Sequence, residues 1–163
     1  MERYFEKISF DEFKKSIDNN IELYNSYELP VRKTKYSAGY DFIAIKDYEI
    51  KPGEIVKIPT GYKAKFNEDE MLMLVVRSNL GFKYNVRMCN QVGIIESDYY
   101  NNESNEGHMF VALQNEGKEI FKINKEDAYI QGIFTKFLTC GDEVSDIRTG
   151  GMGSTNRKKE KNE

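Results

Sequence analysis

The sequence predicts an all-β barrel or sandwich preceded by one N-terminal helix. Three observations carry that prediction. Apolar residues fall in many short runs, turn-forming residues separate the runs at close spacing, and helical periodicity is confined to the segment from Ser9 to Ile17.

In that N-terminal segment Ser9 and Glu12 stand at capping-box spacing, and Phe10, Phe13 and Ile17 follow at helical intervals. The pattern predicts a helix of about two to three turns, ended by Asn19-Asn20, with its apolar stripe on the domain surface. Gly39 offers an unusual backbone angle just before a strand that opens at Asp41 and runs through Phe42-Ile-Ala-Ile45. Tyr48-Glu-Ile50 and Ile55-Val-Lys-Ile58 flank a Pro52-Gly53 turn. Tyr62 to Phe66 alternates with period two, and Met71 to Val76 is a continuous apolar run suited to a strand buried on both faces. Val92 to Ile95 and Met109 to Leu113 read as the two arms of a hairpin around the polar loop Asn101–Gly107. Glu119 to Ile123 and Ala128 to Leu138 complete the strands. The organisation expected is a helical preface at 1–30, a β domain at 31–147, and a glycine-rich arm with a charged tail at 148–163.

Composition narrows the function. The 163 residues suit one domain, and a net charge of −3 carries no electrostatic signature of nucleic-acid binding. Cys89 and Cys140 lie far apart without CxxC spacing, which predicts reduced thiols. A single histidine, His108, excludes a His-rich metal site. No apolar run approaches transmembrane length and the N-terminus lacks a signal-peptide h-region, so a cytoplasmic protein without a membrane partner is expected.

Four places can carry chemistry. Glu96 and Asp98 sit beside Tyr99 at the end of an apolar run; an acid there can serve as a general base, although the stretch alone favours a solvated turn. Arg77-Ser78-Asn79 closes the longest apolar strand, where a guanidinium fork and a hydroxyl can hold phosphate oxygens, or the arginine can pair with a structural carboxylate. Gln131 lies inside an apolar run, where an amide needs partners. Arg148-Thr-Gly-Gly-Met-Gly-Ser-Thr155 can wrap a phosphate chain with backbone N–H groups, although it lacks the Gly-Lys-Ser/Thr ending of a Walker loop.

Taken in order, these pieces resemble the five motifs of the trimeric dUTP pyrophosphatase (dUTPase) family, of bacterial or phage type. Ala38-Gly-Tyr-Asp41 resembles the first motif and Arg77-Ser-Asn-Leu-Gly81 the second. Asn90 with Gly93-Ile-Ile-Glu-Ser-Asp-Tyr99 resembles the third, Lys125-Glu-Asp127 with Gln131 the fourth, and Arg148–Thr155 the fifth. The resemblance spans residues 37–156. It implies a jelly-roll β-fold and a homotrimer in which each active site is built from three subunits. It also implies hydrolysis of dUTP to dUMP and pyrophosphate with Mg²⁺, the ion being held by the phosphates and by water without direct protein ligands.

Carried onto this chain, the resemblance gives each matched residue a role. Asn90 and the backbone of Gly93, Ile94 and Ile95 read the uracil edge, and a site built to bond that edge is left unpaired by a wrong base. Tyr99 packs on the deoxyribose. Arg77, Ser78 and Asn79 hold phosphates, with Gln131 near the α-phosphate and Asp41 orienting magnesium-bound waters. Met152 covers the uracil with Gly153 beside it, while Arg148, Ser154 and Thr155 contact the outer phosphates. Glu96 polarises the attacking water.

Three departures from the family pattern stand out. Glu96 replaces the family's aspartate, Met152 replaces its stacking phenylalanine, and Asn101–Glu106 is an insertion between the motif's tyrosine and glycine. The first leaves a second reading, a dUTPase-like regulatory protein of impaired catalysis with a phage or host protein as partner. More remote is dCTP deaminase, which shares the fold but lacks the tyrosine hairpin and the Gly-Ser-Thr arm.

Overall fold

A computed structural model describes residues 3–141, 144 and 150. The chain opens with strand β1 (Tyr4–Lys7), then helices α1 (Phe10–Ser16) and α2 (Ile21–Ser26). Strands β2 (Tyr40–Ile43), β3 (Tyr48–Ile50), β4 (Ile55–Pro59), β5 (Tyr62–Lys65) and β6 (Glu70–Val76) follow, and then helix α3 (Ser78–Tyr84). Strands β7 (Val86–Met88), β8 (Gly93–Glu96), β9 (Phe110–Asn115), β10 (Phe121–Ile123) and β11 (Ala128–Lys136) complete it, with a 3₁₀ turn at Ser97–Tyr99.

All the pairings are antiparallel. The strands form a four-stranded sheet, β2-β11-β6-β8, a three-stranded sheet, β4-β9-β7, and the pairs β1-β5 and β10-β3. Alternation explains most of them. In β9 every second residue is buried, and β6 alternates with Leu72 and Leu74 at 0% and 1% exposure. The sequence predicted burial of β6 on both faces; instead Met71, Met73 and Val75 keep partial exposure on the other face.

One core serves the whole described chain, and its N-terminal share is aromatic. Phe13 stacks on Tyr27 at 5.6 Å, Tyr27 meets Tyr62 edge-on at 5.5 Å, and Tyr62 meets Phe42 at 5.4 Å. Rings in such tilted and offset contacts add to the stabilisation gained from burial alone. Phe13 is fully buried and Phe10 and Ile17 are partly buried against this core, so α1 packs its apolar stripe onto the domain.

Two expectations need correction, one helical and one of strand pairing. The predicted terminator Asn20 is the N-cap of α2, its Oδ1 accepting from the N–H groups of Glu22 and Leu23 at 2.9 and 3.0 Å. Segment 92–113 is not a hairpin. β8 pairs with β6, β9 pairs with β4 and β7, and the intervening loop crosses from one sheet to the other.

Candidate active site

The predicted site residues fall into two groups in this chain. The first gathers where β2, β11 and the end of β6 run side by side. Asp41 is cross-strand partner to Gln131, and Gln131 to Val75. Two residues beyond Val75, Arg77 donates its backbone N–H to Tyr129 O at 3.2 Å, which returns it to β11. Its Nε then lies 3.3 Å from Oδ1 of the buried Asp41. The arginine therefore does pair with a carboxylate, yet its side chain stays 39% exposed and keeps donors for a further anion. Ser78 and Asn79 follow in the first turn of α3, both exposed. Arg77 caps that helix without a side-chain bond to its amides, so a guanidinium, a hydroxyl and the first-turn N–H groups come from consecutive residues.

Gly39 belongs to this group for a reason the sequence misled on. It was expected to supply an unusual backbone angle, but it is absent from the positive-φ glycines among the described residues, which are Gly53, Gly61, Gly107 and Gly141. What it supplies is room: a Cβ there would land on Gln131 Oε1. The bare Cα seats the amide of Gln131.

The second group lines β8, an edge strand. Gly93 is buried, and a Cβ placed on it would lie 3.2 Å from Leu74 Cβ and 3.3 Å from Met88 Cε. Ile94 is 45% exposed, Ile95 is half-buried, and Glu96 and Asn90 are exposed. Gln91, at φ 62°, turns the chain between Asn90 and β8. Tyr99 closes the group at 5% exposure, its hydroxyl donating to His108 O at 3.0 Å.

The two groups do not meet within one chain. Glu96 is level with Met71, four residues along β6 from Val75, and β8 and β2 are opposite edges of the sheet. With about 3.3 Å per residue and about 4.8 Å per strand spacing, Glu96 and Asp41 stand roughly 20 Å apart along the sheet. The fifth candidate motif, Arg148, Met152, Gly153, Ser154 and Thr155, lies outside the described residues.

A family model for dUTPase matches residues 25–159, more than half of the chain. The chain belongs to the dUTPase family. Over 130 residues this dUTPase is 45% identical to the deoxyuridine 5′-triphosphate nucleotidohydrolase of Lactococcus lactis, covering 78% of this chain and 87% of that protein. The crystal structure of the Streptococcus mutans dUTPase superposes with a TM-score of 0.66 at 37% identity, covering 83% of this chain and 96% of that one. A dUTPase of phage phi11 of S. aureus, described with a structural Mg(II) ion, gives the same TM-score at 16% identity, a likeness of fold alone. The fold is thus the jelly roll of the dUTPases. No helix among the described residues is long and apolar enough to cross a membrane.

Proposed function

We propose that this dUTPase hydrolyses dUTP to dUMP and pyrophosphate in the cytoplasm, at sites assembled from three copies of the chain. The observation that carries the reading is the split site. One chain presents a phosphate-facing group, Asp41, Arg77, Ser78, Asn79 and Gln131, and about 20 Å away a base-facing edge, Asn90 to Tyr99. Each group is formed and has exposed members, Ser78 and Asn79 in the first and Asn90, Ile94 and Glu96 in the second, and each lacks the other's chemistry. A symmetric trimer that sets β8 of one copy beside the Arg77 corner of the next completes the site. The name of the Lactococcus lactis relative, a deoxyuridine 5′-triphosphate nucleotidohydrolase, supports the choice of substrate.

The chemistry follows from the two groups. Backbone polar groups of Gly93 to Ile95 and the amide of Asn90 bond the uracil edge, and Tyr99 supports the sugar. Arg77 and Ser78 hold phosphate oxygens, with Gln131 at the α-phosphate. Glu96 takes a proton from a water whose oxygen attacks the α-phosphorus. The bond from that phosphorus to the bridging oxygen breaks, and pyrophosphate leaves with the electron pair. Positioning and charge neutralisation supply most of the rate in such transfers.

Mg²⁺ fits the donors present as an ion carried in by the triphosphate. Among the described residues no three His, Cys, Asp or Glu side chains gather into a ligand set. Asp41 offers an oxygen beside Arg77, suited to the water shell of such an ion. When bound, the ion neutralises phosphate charge. Met152, Gly153, Arg148, Ser154 and Thr155 are assigned to the arm that closes over the nucleotide.

The test is pyrophosphate release from dUTP with Mg²⁺, against dCTP, dTTP and UTP. Turnover confined to dUTP supports the reading. No turnover from dUTP, or release of ammonia from dCTP, overturns it. A mass measurement in solution tests the trimer, and a monomer at assay concentration would sink the shared site.

A further inference from the structure

We propose that the inserted loop Asn101–Glu106 is the device that holds Tyr99 rigid, and that Asn105 is thereby a positioning residue for sugar discrimination. The inference rests on the assignment of Tyr99 to the deoxyribose and asks what keeps that ring from yielding.

The loop grips Tyr99 at both ends. At the ring end, the hydroxyl donates to His108 O at 3.0 Å and accepts from Asn105 Nδ2 at 2.9 Å. At the backbone end, Tyr99 O accepts from Asn102 Nδ2 at 2.8 Å. The two asparagines are themselves joined, Asn102 Nδ2 donating to Asn105 Oδ1 at 2.8 Å. Their orientations are fixed by groups with a single role. Gly107 N–H can only donate, and it bonds Asn105 Oδ1 at 3.1 Å; His108 O can only accept, and it takes Asn105 Nδ2 at 3.2 Å. Asn102 Oδ1 in turn accepts from Ser104 N at 3.0 Å and Asn105 N at 3.2 Å. Gly107 closes the turn at φ 84°, where a Cβ would stand 2.7 Å from Tyr99 O.

Such a network has a functional consequence because a steric gate excludes a hydroxyl only if it cannot retreat. A ring against the sugar face discriminates dUTP from UTP by refusing room to the 2′-hydroxyl. Tyr99 sits in a 3₁₀ turn on the connection between two sheets, where strand pairing does not hold it. The inserted asparagines supply the constraint that a hairpin ladder would otherwise supply.

The test compares kcat/KM for dUTP and UTP in the trimer as purified, for the parent, Asn105→Asp, Tyr99→Phe and the double variant. Asn105→Asp keeps the oxygens that accept from Asn102 and Gly107 and removes the Nδ2 group that donates to Tyr99 and, more weakly, to His108 O. The expected result is a fall of about tenfold in the dUTP to UTP ratio, the scale of one lost hydrogen bond, with kcat for dUTP nearly kept. Tyr99→Phe should lose the same selectivity, and Asn105→Asp should cost nothing further in that background. Asn105→Ala, checked by its melting temperature, also removes the acceptor for Asn102 and Gly107 and should lose at least as much selectivity, so a loss there excludes an effect of added charge. Unchanged selectivity in Asn105→Asp, or additive losses in the double variant, overturns the proposal while the parent's dUTP turnover leaves the enzyme reading standing. A parent that does not turn over dUTP overturns both.

Discussion

Glu106 accepts the backbone N–H of Ser9 at 3.0 Å and also takes the Ser9 hydroxyl, closing a capping box across 97 residues of sequence. Ser9 Oγ accepts from Glu12 N at 3.2 Å, as the local pattern predicted. The returning carboxylate, however, belongs to the inserted loop, and Glu12 turns inward beside His108. Burial alone would push the Glu106 carboxyl up, but the bonds from Ser9 and the charge of Lys63, 3.7 Å away, hold it below its usual value. The loop that grips Tyr99 is therefore also clamped to α1.

Replacing Glu106 with alanine should lower stability by about 1–2 kcal/mol, the scale of a lost N-cap. Urea unfolding at neutral pH measures it. If a fall of that size appears equally in Ser9→Ala, and the two losses do not add, the contact is the shared cause. Full additivity would mean that the clamp contributes nothing of its own.

His108 sets an acid limit. It is fully buried, its Nε2 accepts from Gly61 N–H at 3.0 Å, and its Nδ1 therefore carries the proton toward Ser16 Oγ at 3.4 Å. Burial pushes its pKa down to about 4, a shift that the nearby Glu106 charge only partly opposes. The folded protein thus refuses a proton that the unfolded chain accepts near pH 6.5. Stability should be complete above pH 6.5, fall as pH drops toward 4, and lose roughly 3 kcal/mol across that window. Unfolding curves from pH 4 to 8 should show this slope, and His108→Gln should flatten it.

The proposed base, Glu96, is the residue most open to test. It is exposed at the end of β8, the edge that the proposed trimer sets beside the phosphate-holding group of a neighbouring copy. Glu96→Gln should lower kcat by about 10²–10⁴-fold, the usual worth of a general base, with little change in dUTP affinity. Glu96→Asp should raise kcat, by up to about a hundredfold, if the extra methylene misplaces the carboxylate by about an ångström. Single-turnover kinetics separates chemistry from release. Wild-type rates in Glu96→Gln would remove Glu96 from the mechanism.

The sequence was most legible where chemistry is local. Pro52-Gly53 marked its turn, and alternation marked β5 because one face of it meets the core. It was least legible where tertiary partners decide. β1 is four residues whose pairing lies in β5, and nothing in Tyr-Phe-Glu-Lys announces that partner. Helix α3 carries Gly81 and buries only Leu80, so its seven residues show no apolar period. The false hairpin between β8 and β9 arose because adjacent apolar runs reveal strands but not which edges they join. In the site, residue types pointed to Asp41, Arg77 and Gln131, whereas the space that Gly39 leaves for Gln131 depends on the register of β11 against β2.

That space gives the sharpest structural prediction. Gly39→Ala places a methyl group on Gln131 Oε1, so the amide must move or β2 must shift. Either response should cost about 1–3 kcal/mol of stability, as overpacking does in a close-packed interior. Because Asp41 pairs with Gln131 across the strands and also faces Arg77, the displacement should reach the phosphate-binding group and raise KM for dUTP. Pairing Gly39→Ala with Gln131→Ala should restore the melting temperature, since the methyl group then has room. It should not restore turnover, because the amide is gone. Recovery of both would show that Gln131 fills space without touching substrate; recovery of neither would place the cost of the alanine in the backbone at Gly39.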